Sequence, residues 1–258
     1  MCELLAMSAN VPTDVRFSFA ALSQRGGATG KHTDGWGISF YEHKGCRSIH
    51  DPNPSAHSEL ARFIKSYPIK SLIVIAHVRK ANRGRVALEN THPFSRELWG
   101  SAWSFAHNGQ LKGIKKRPLT FYAPIGTTDS EHAFCWLLDR LRILYPKRPS
   151  DQTLARAIAD LFADLRGLGV FNALLSDGRS LYASCSTKLC YVERRAPFGP
   201  ATLIDEDMEV DFAKETTPDD RVVVVASTPL TRNEIWIHVP PQTTLVARKG
   251  TIVKTFRR

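Results

Sequence analysis

The first residue of this chain whose type and place could do chemistry is Cys2, directly behind the initiator methionine. Loss of Met1 would leave one residue holding both a thiol and a free α-amine. An α-amine titrates at about 7.7–8.0, which suits a base working near neutral pH. The thiol, with an ordinary pKa of about 8.5, needs only modest activation to attack a carbonyl. Taken alone, Cys2 also reads as an incidental small residue.

An acyl-transfer nucleophile needs donors for the oxyanion that develops, and "FAHNGQL" offers Asn108 and Gly109 behind His107. A strand ending there would set an amide side chain beside a backbone N–H that the small glycine leaves open. Asn-Gly is equally a hairpin-turn signal. In "IAHVRKANRG" an apolar strand runs into Arg79 and a polar loop containing Gly84. An arginine at a strand end is a fork for a carboxylate, or an ordinary surface cation. "GTTDSEHAF" puts Asp129 at the start of a helix, with Thr128 or Asp129 itself as the cap. A carboxylate there could instead receive an ammonium group. One cation, one anion, an oxyanion hole and a thiol together describe a recogniser of an amino acid attacked at its far end, and glutamine fits.

Positioning these groups requires strands that stop beside one another. Alternating and β-branched runs predict strands at "ELLAMS", "GWGISFYEH", "KSLIVIAHV", "SAWSFAHN", "GVFNALLSD", "SLYASCS", "KLCYVER", "RVVVVAS" and "EIWIHV". Helices are predicted in "DVRFSFAALSQRGG", ending at the Gly26, Gly27 pair, in "SAHSELARFIKSYP", beginning at a Ser and ending before a proline, in "SEHAFCWLLDRLRILYP", ending before Pro146, and in "SDQTLARAIADLFADLRGLG", with Ser or Asp as its cap and a glycine stop. Helices fall between groups of strands rather than after each one. This disfavours a doubly wound parallel sheet and predicts an α+β fold of four layers, αββα, with two mostly antiparallel sheets. Residues 1–258 read as a single domain. The acidic stretch from Pro197 to Pro218 reads as a surface excursion rather than a linker, and the terminal "KTFRR" as an exposed tail.

Composition narrows the function further. The chain has a formal charge of +10, yet Lys112, Lys115, Lys116, Arg117 and the other cations come in short groups without a nucleic-acid-binding motif. A solvated basic surface is expected, with no nucleic-acid partner. The five cysteines, at 2, 46, 135, 185 and 190, are odd in number and lack C-x-x-C spacing, which argues against a disulfide framework or a zinc site. Cys185 and Cys190 read as buried strand residues. No signal-peptide pattern and no membrane-spanning apolar run is present, so a cytoplasmic, membrane-free protein is expected.

Cys2, "HTDGWGISFY", "AHVRKANRG", "NTHPF", "FAHNGQL" and "TTDSEHAF", in this order, resemble the class II glutamine amidotransferases, a branch of the N-terminal-nucleophile hydrolases. The motifs span roughly the first half of the chain, and "ASTPLT" followed by "EIWIHVPP" resembles the end of stand-alone members. The resemblance implies the αββα sandwich, and it makes Cys2 the nucleophile with its own α-amine as base. It assigns the glutamine α-carboxylate to Arg79, the α-ammonium to Asp129, and the oxyanion hole to the Asn108 side chain and Gly109 N–H. Trp36, Gly37, His92 and His107 receive supporting roles. The implied reaction cleaves the glutamine γ-amide through a γ-glutamyl thioester, releasing ammonia and glutamate without metal or cofactor, with an ammonia-accepting partner subunit possible. Lys80 and Glu3 stand where synthase-linked members carry an aromatic residue and a glycine, as in the stand-alone branch. Two alternatives keep the fold: hydrolysis of another γ-glutamyl amide or peptide, and a catalytically silent binding protein.

Overall fold

The computed structural model describes residues 2–43, 45–81 and 85–258. Removal of Met1, and Gly84 in the loop behind Arg79, lie outside the described residues. In chain order the first half holds β1 (Glu3–Asp14), α1 (Arg16–Gln24), β2 (Trp36–Glu42), β3 (Gly45–Asp51), α2 (Glu59–Ser66), β4 (Lys70–Val78), β5 (Phe94–Leu98), β6 (Ser101–Leu111) and α3 (Asp129–Leu144). There follow α4 (Asp151–Arg166), β7 (Gly169–Ser176), β8 (Leu181–Cys185), β9 (Cys190–Arg195), β10 (Pro200–Thr202), β11 (Glu209–Asp211) and α5 (Phe212–Glu215). The chain ends with β12 (Arg221–Ala226), β13 (Ile237–His238), β14 (Thr243–Arg248) and β15 (Thr251–Arg257).

Two antiparallel sheets result, ordered β13-β9-β12-β1-β4-β2-β3 and β15-β14-β8-β7-β6-β5. Strand alternation explains how they stack. Leu5 and Met7 of β1 join Phe19 and Leu22 of α1 and Ile64 of α2 on one face. Leu4 and Ala6 point the other way, into a seam between the sheets shared with Ala106, Leu174, Val223 and Val225. The outer face of the second sheet packs Phe105 and Phe171 against Phe134 of α3 and Phe162 of α4. Helix, sheet, sheet, helix is therefore the layer order, as the sequence predicted.

β1 and β4, neighbours in the middle of the first sheet, are buried on two faces over most of their paired length, which is why they read as largely apolar runs. The differences lie at the edges. "EIWIHV" yields only the two-residue β13, because Ile235 is 88% exposed and has nothing to pack on. Residues 254–257 are not a tail but the end of edge strand β15, hydrogen-bonded along β14. The 197–218 stretch forms the β10–β11 ribbon and α5, and Asp205 fastens it to Arg25 at the end of α1 with an ion pair of 2.8 Å. Cys185 and Cys190 are buried strand residues.

Candidate active site

Cys2 sits just ahead of β1, and the register Glu3↔Val78 brings it beside the end of β4, where Arg79 and Lys80 follow. The Lys80 backbone grips the thiol from both sides: its N–H donates to Cys2 Sγ at 3.3 Å, and its carbonyl accepts from Sγ at 3.4 Å. The Cys2 N–H donates to Asn108 Oδ1 at 3.0 Å, while Asn108 Nδ2 donates to the Cys2 carbonyl at 2.6 Å. One side-chain amide thus clamps the Cys2 backbone from both ends. Burial pushes the Cys2 thiol above its ordinary value, opposed by the Lys80 N–H and the Arg79 charge. Burial thus favours the neutral thiol over the thiolate.

Asn108 and Gly109 are not a hairpin turn, and β6 does not stop at Gly109 but runs on to Leu111. The N–H of Leu111 donates to Asp129 Oδ2 at 2.8 Å across a strand edge that β5, whose pairing begins at Phe94↔Phe105, leaves uncovered. By strand alternation the Gly109 N–H opens on the same edge. A Cβ built on Gly109 would collide with the Val170 carbonyl of β7, so glycine is needed for this approach.

Asp129 is the first residue of α3 rather than its cap. Thr128 is the cap, its hydroxyl accepting from the Glu131 N–H at 3.1 Å. The segment before α3 is held by buried Glu131, which accepts from the N–H groups of Ile125 at 2.9 Å and Gly126 at 2.7 Å and pairs with Arg96 at 2.6 Å. His107 ties the strand to the helix, with Nδ1 2.8 Å from Ser130 Oγ and Nε2 3.0 Å from the Val170 carbonyl. The carbonyl can only accept, so Nε2 carries the proton and Nδ1 accepts from Ser130. Burial holds this ring below its ordinary pKa against the pull of Asp129.

Arg79 is 3% exposed, not the surface cation of the bland reading. Its Nη1 donates to the carbonyls of Arg85 at 3.2 Å and Asp34 at 3.4 Å, and no carboxylate among the described residues pairs with it. A buried guanidinium satisfied only by carbonyls favours an anionic ligand. Trp36 and Gly37 begin β2, beside β4, and a Cβ on Gly37 would collide with the His92 carbonyl. His92 is buried with its ring 4.3 Å from that of His77.

Cys2, Arg79, His92, His107, Asn108, Gly109 and Asp129 all line one pocket of about 670 Å³. Trp36 and Gly37 are the two sequence-predicted site residues outside its wall. Three organising residues went unassigned: Asp34, which accepts from the Ala81 N–H at 2.7 Å; Asn90, which accepts from the Thr127 N–H at 2.8 Å; and Ser130. Asp34 and Asn90 lie inside "HTDGWG" and "NTHPF", so the signal was present, but their partners are loop backbones that no local pattern names. Among the described residues, no cluster of three or more His, Cys, Asp or Glu could hold a metal ion, and no helix is long and apolar enough to cross a membrane.

Fold and site together define a class: an αββα sandwich with a thiol at the head of a central strand, facing a pocket with a buried cation and a carboxylate. The chain belongs to the class II glutamine amidotransferases, whose family model matches residues 1–258. It is 59% identical over 242 residues to "Putative glutamine amidotransferase YafJ" of Escherichia coli (strain K12), covering 93% of this chain and 95% of that one. It is 47% identical over 236 residues to a Haemophilus influenzae protein of the same description, covering 92% of this chain and 80% of that one. Among solved structures, a predicted glutamine amidotransferase from Pseudomonas aeruginosa PA01 superposes with a TM-score of 0.79 at 48% identity, over 98% of this chain and 100% of the other. The glutamine phosphoribosylpyrophosphate amidotransferase of B. subtilis shares the fold alone, with a TM-score of 0.63 at 15% identity over 99% of this chain and 49% of that one.

Proposed function

We propose that residues 1–258 form one functional unit that hydrolyses the γ-amide of glutamine, with Cys2 as the nucleophile once Met1 is gone. The observation that carries this is the convergence on one pocket of the Cys2 thiol, the Asn108 clamp on its backbone, and the unpaired buried Arg79. The α-carboxylate of the substrate pairs with Arg79 and its α-ammonium with Asp129, which leaves the γ-carbonyl to face Sγ. The freed α-amine of Cys2, held on Asn108 Oδ1, takes the thiol proton as sulfur attacks. Asn108 Nδ2, which has a second hydrogen beside the one given to the Cys2 carbonyl, and the Gly109 N–H receive the oxyanion. The amine returns its proton to the departing ammonia, and water then cleaves the γ-glutamyl thioester to glutamate. Ammonia leaves to solvent or to an acceptor subunit, whose presence would raise glutaminase turnover.

A second reading changes only the leaving group. A pocket of about 670 Å³ lies within the roughly 300–1,000 Å³ typical of sites for drug-sized ligands and exceeds what one amino acid fills. That favours a γ-glutamyl amide larger than glutamine.

Glutamate release and intact mass test the proposal together. A protein of mass lacking Met1 should release glutamate and take one diazoketone adduct at Cys2, and Cys2→Ala should lose at least about a thousandfold in turnover. Full glutamate release by Cys2→Ala would sink the proposal.

A further inference from the structure

On the amidohydrolase reading, Arg79 and Asp129 hold two charged groups that glutamine carries on one carbon, so their separation must be fixed. They belong to different parts of the fold. Arg79 follows β4 of the first sheet, where its N–H donates to the Gly35 carbonyl at 2.7 Å. Asp129 opens α3, which packs on the second sheet, and accepts there from the Leu111 N–H at 2.8 Å. One buried side chain joins the two frames. Asn90 is 1% exposed, and its Oδ1 accepts from the Thr127 N–H at 2.8 Å, two residues ahead of Asp129. Its Nδ2 donates to the Arg85 carbonyl at 3.2 Å, and that same carbonyl accepts from Arg79 Nη1 at 3.2 Å.

The guanidinium and the turn that carries the carboxylate are therefore linked through one carbonyl and one amide. A side-chain amide accepts through oxygen and donates through nitrogen, so it serves both ends without adding a charge. An aspartate would keep the first bond and lose the second. The bridge is anchored on each side. Asn90 ends the 3₁₀ turn Leu88–Asn90, and the next residue, Thr91, donates from Oγ1 to the Ala87 carbonyl at 3.0 Å. Across from it, a Cβ built on Gly126 would collide with Asn90 Oδ1 and the Glu89 carbonyl, so glycine lets the amide reach Thr127. We infer, resting on the amidohydrolase reading above, that Asn90 is a positioning residue: it sets the Arg79–Asp129 separation and so selects compounds bearing a carboxylate and an ammonium group on the same carbon. In this role Asn90 acts through Arg79 and Asp129 and takes no part in proton transfer or in the chemistry at Sγ. Its loss falls on two-point recognition. A compound with one of the two groups meets one of the two partners, and their separation makes no difference to it.

The test is Asn90→Ala in the full chain. It sets kcat/KM for ammonia release from glutamine beside the inhibition constants of glutaramate, which lacks the α-ammonium, and γ-aminobutyramide, which lacks the α-carboxylate. The expected result is a fall in kcat/KM for glutamine of at least about tenfold, since a misplacement of about 1 Å in a bound substrate costs that much or more. Both inhibition constants should stay within about twofold of the parent, because each single contact is independent of the other. Gly126→Ala, which crowds the amide off Thr127 while Asn90 is intact, should show the same selective loss. Equal weakening of all three compounds, unchanged glutamine kinetics in Asn90→Ala, or failure of both variants to fold overturns the inference and leaves the amidohydrolase reading standing. No ammonia from glutamine with the parent chain, in protein whose mass shows Cys2 at the terminus, overturns that reading and this inference together.

Discussion

At the scale of single residues, the site is a set of buried polar groups in which one is left without a counter-charge. Glu131 has Arg96, and the His107 ring has Ser130 and Val170, but among the described residues Arg79 has only carbonyls. Its charge costs desolvation in the free protein and is offset when a carboxylate binds. Arg79→Met should therefore leave the melting temperature within a few degrees of the parent, since no ion pair is lost. The same change should raise the KM for glutamine at least about tenfold, with a smaller effect on kcat, because charge-assisted bonds of about 1.5–3 kcal/mol disappear from substrate and transition state alike. Thermal unfolding beside steady-state kinetics checks it. A large fall in stability with unchanged KM would make Arg79 a structural cation instead.

At the scale of elements, the place of Cys2 depends on where β1 begins. Glu3, one residue past Cys2, is 7% exposed and pairs with Arg25 at 2.9 Å, while Arg25 also holds Asp205 at 2.8 Å and the Pro229 carbonyl at 2.6 Å. This gives Glu3 a physical reason to stand directly after Cys2. The network fastens the head of β1 to the end of α1 and to the loop before β10–β11 closes. Arg25→Met should cost about 3–5 kcal/mol in denaturant unfolding, because it strands the buried Glu3 carboxylate and removes the partner of half-buried Asp205. Adding Glu3→Gln should recover part of that loss by removing the stranded charge. These partners lie 22 and 180 residues apart in sequence, which is why the pairing was not legible there. The central strands and long helices were legible, since their burial on one or two faces leaves a periodic record in the residues themselves.

At the scale of the whole molecule, histidines 77 and 92 meet as buried rings, His92 on the pocket wall, and neither ring has a hydrogen-bond partner among the described residues. Burial lowers His77 to about 3 and His92 well below its ordinary value. A base with a depressed folded pKa binds more protons when unfolded, so stability is complete above about pH 6.5 and falls as pH drops toward the folded value. Each such ring contributes a slope of up to about 1.4 kcal/mol per pH unit in that window. Unfolding free energy should therefore fall between pH 7 and pH 5, and His77→Phe should flatten the slope whatever its offset at neutral pH. A slope unchanged in that variant would remove His77 as its source. The sequence by itself determined the layer architecture, the strands that carry the chemistry and the residue types at the site, because periodicity, caps and ordered motifs are local. Only the tertiary structure decided that Arg79 is buried with carbonyls and no carboxylate among its described partners, and that four lysines line the pocket of Cys2. Those facts come from strand register and loop packing between residues far apart in the chain, and burial and charge balance are properties of the assembled neighbourhood rather than of any segment within it.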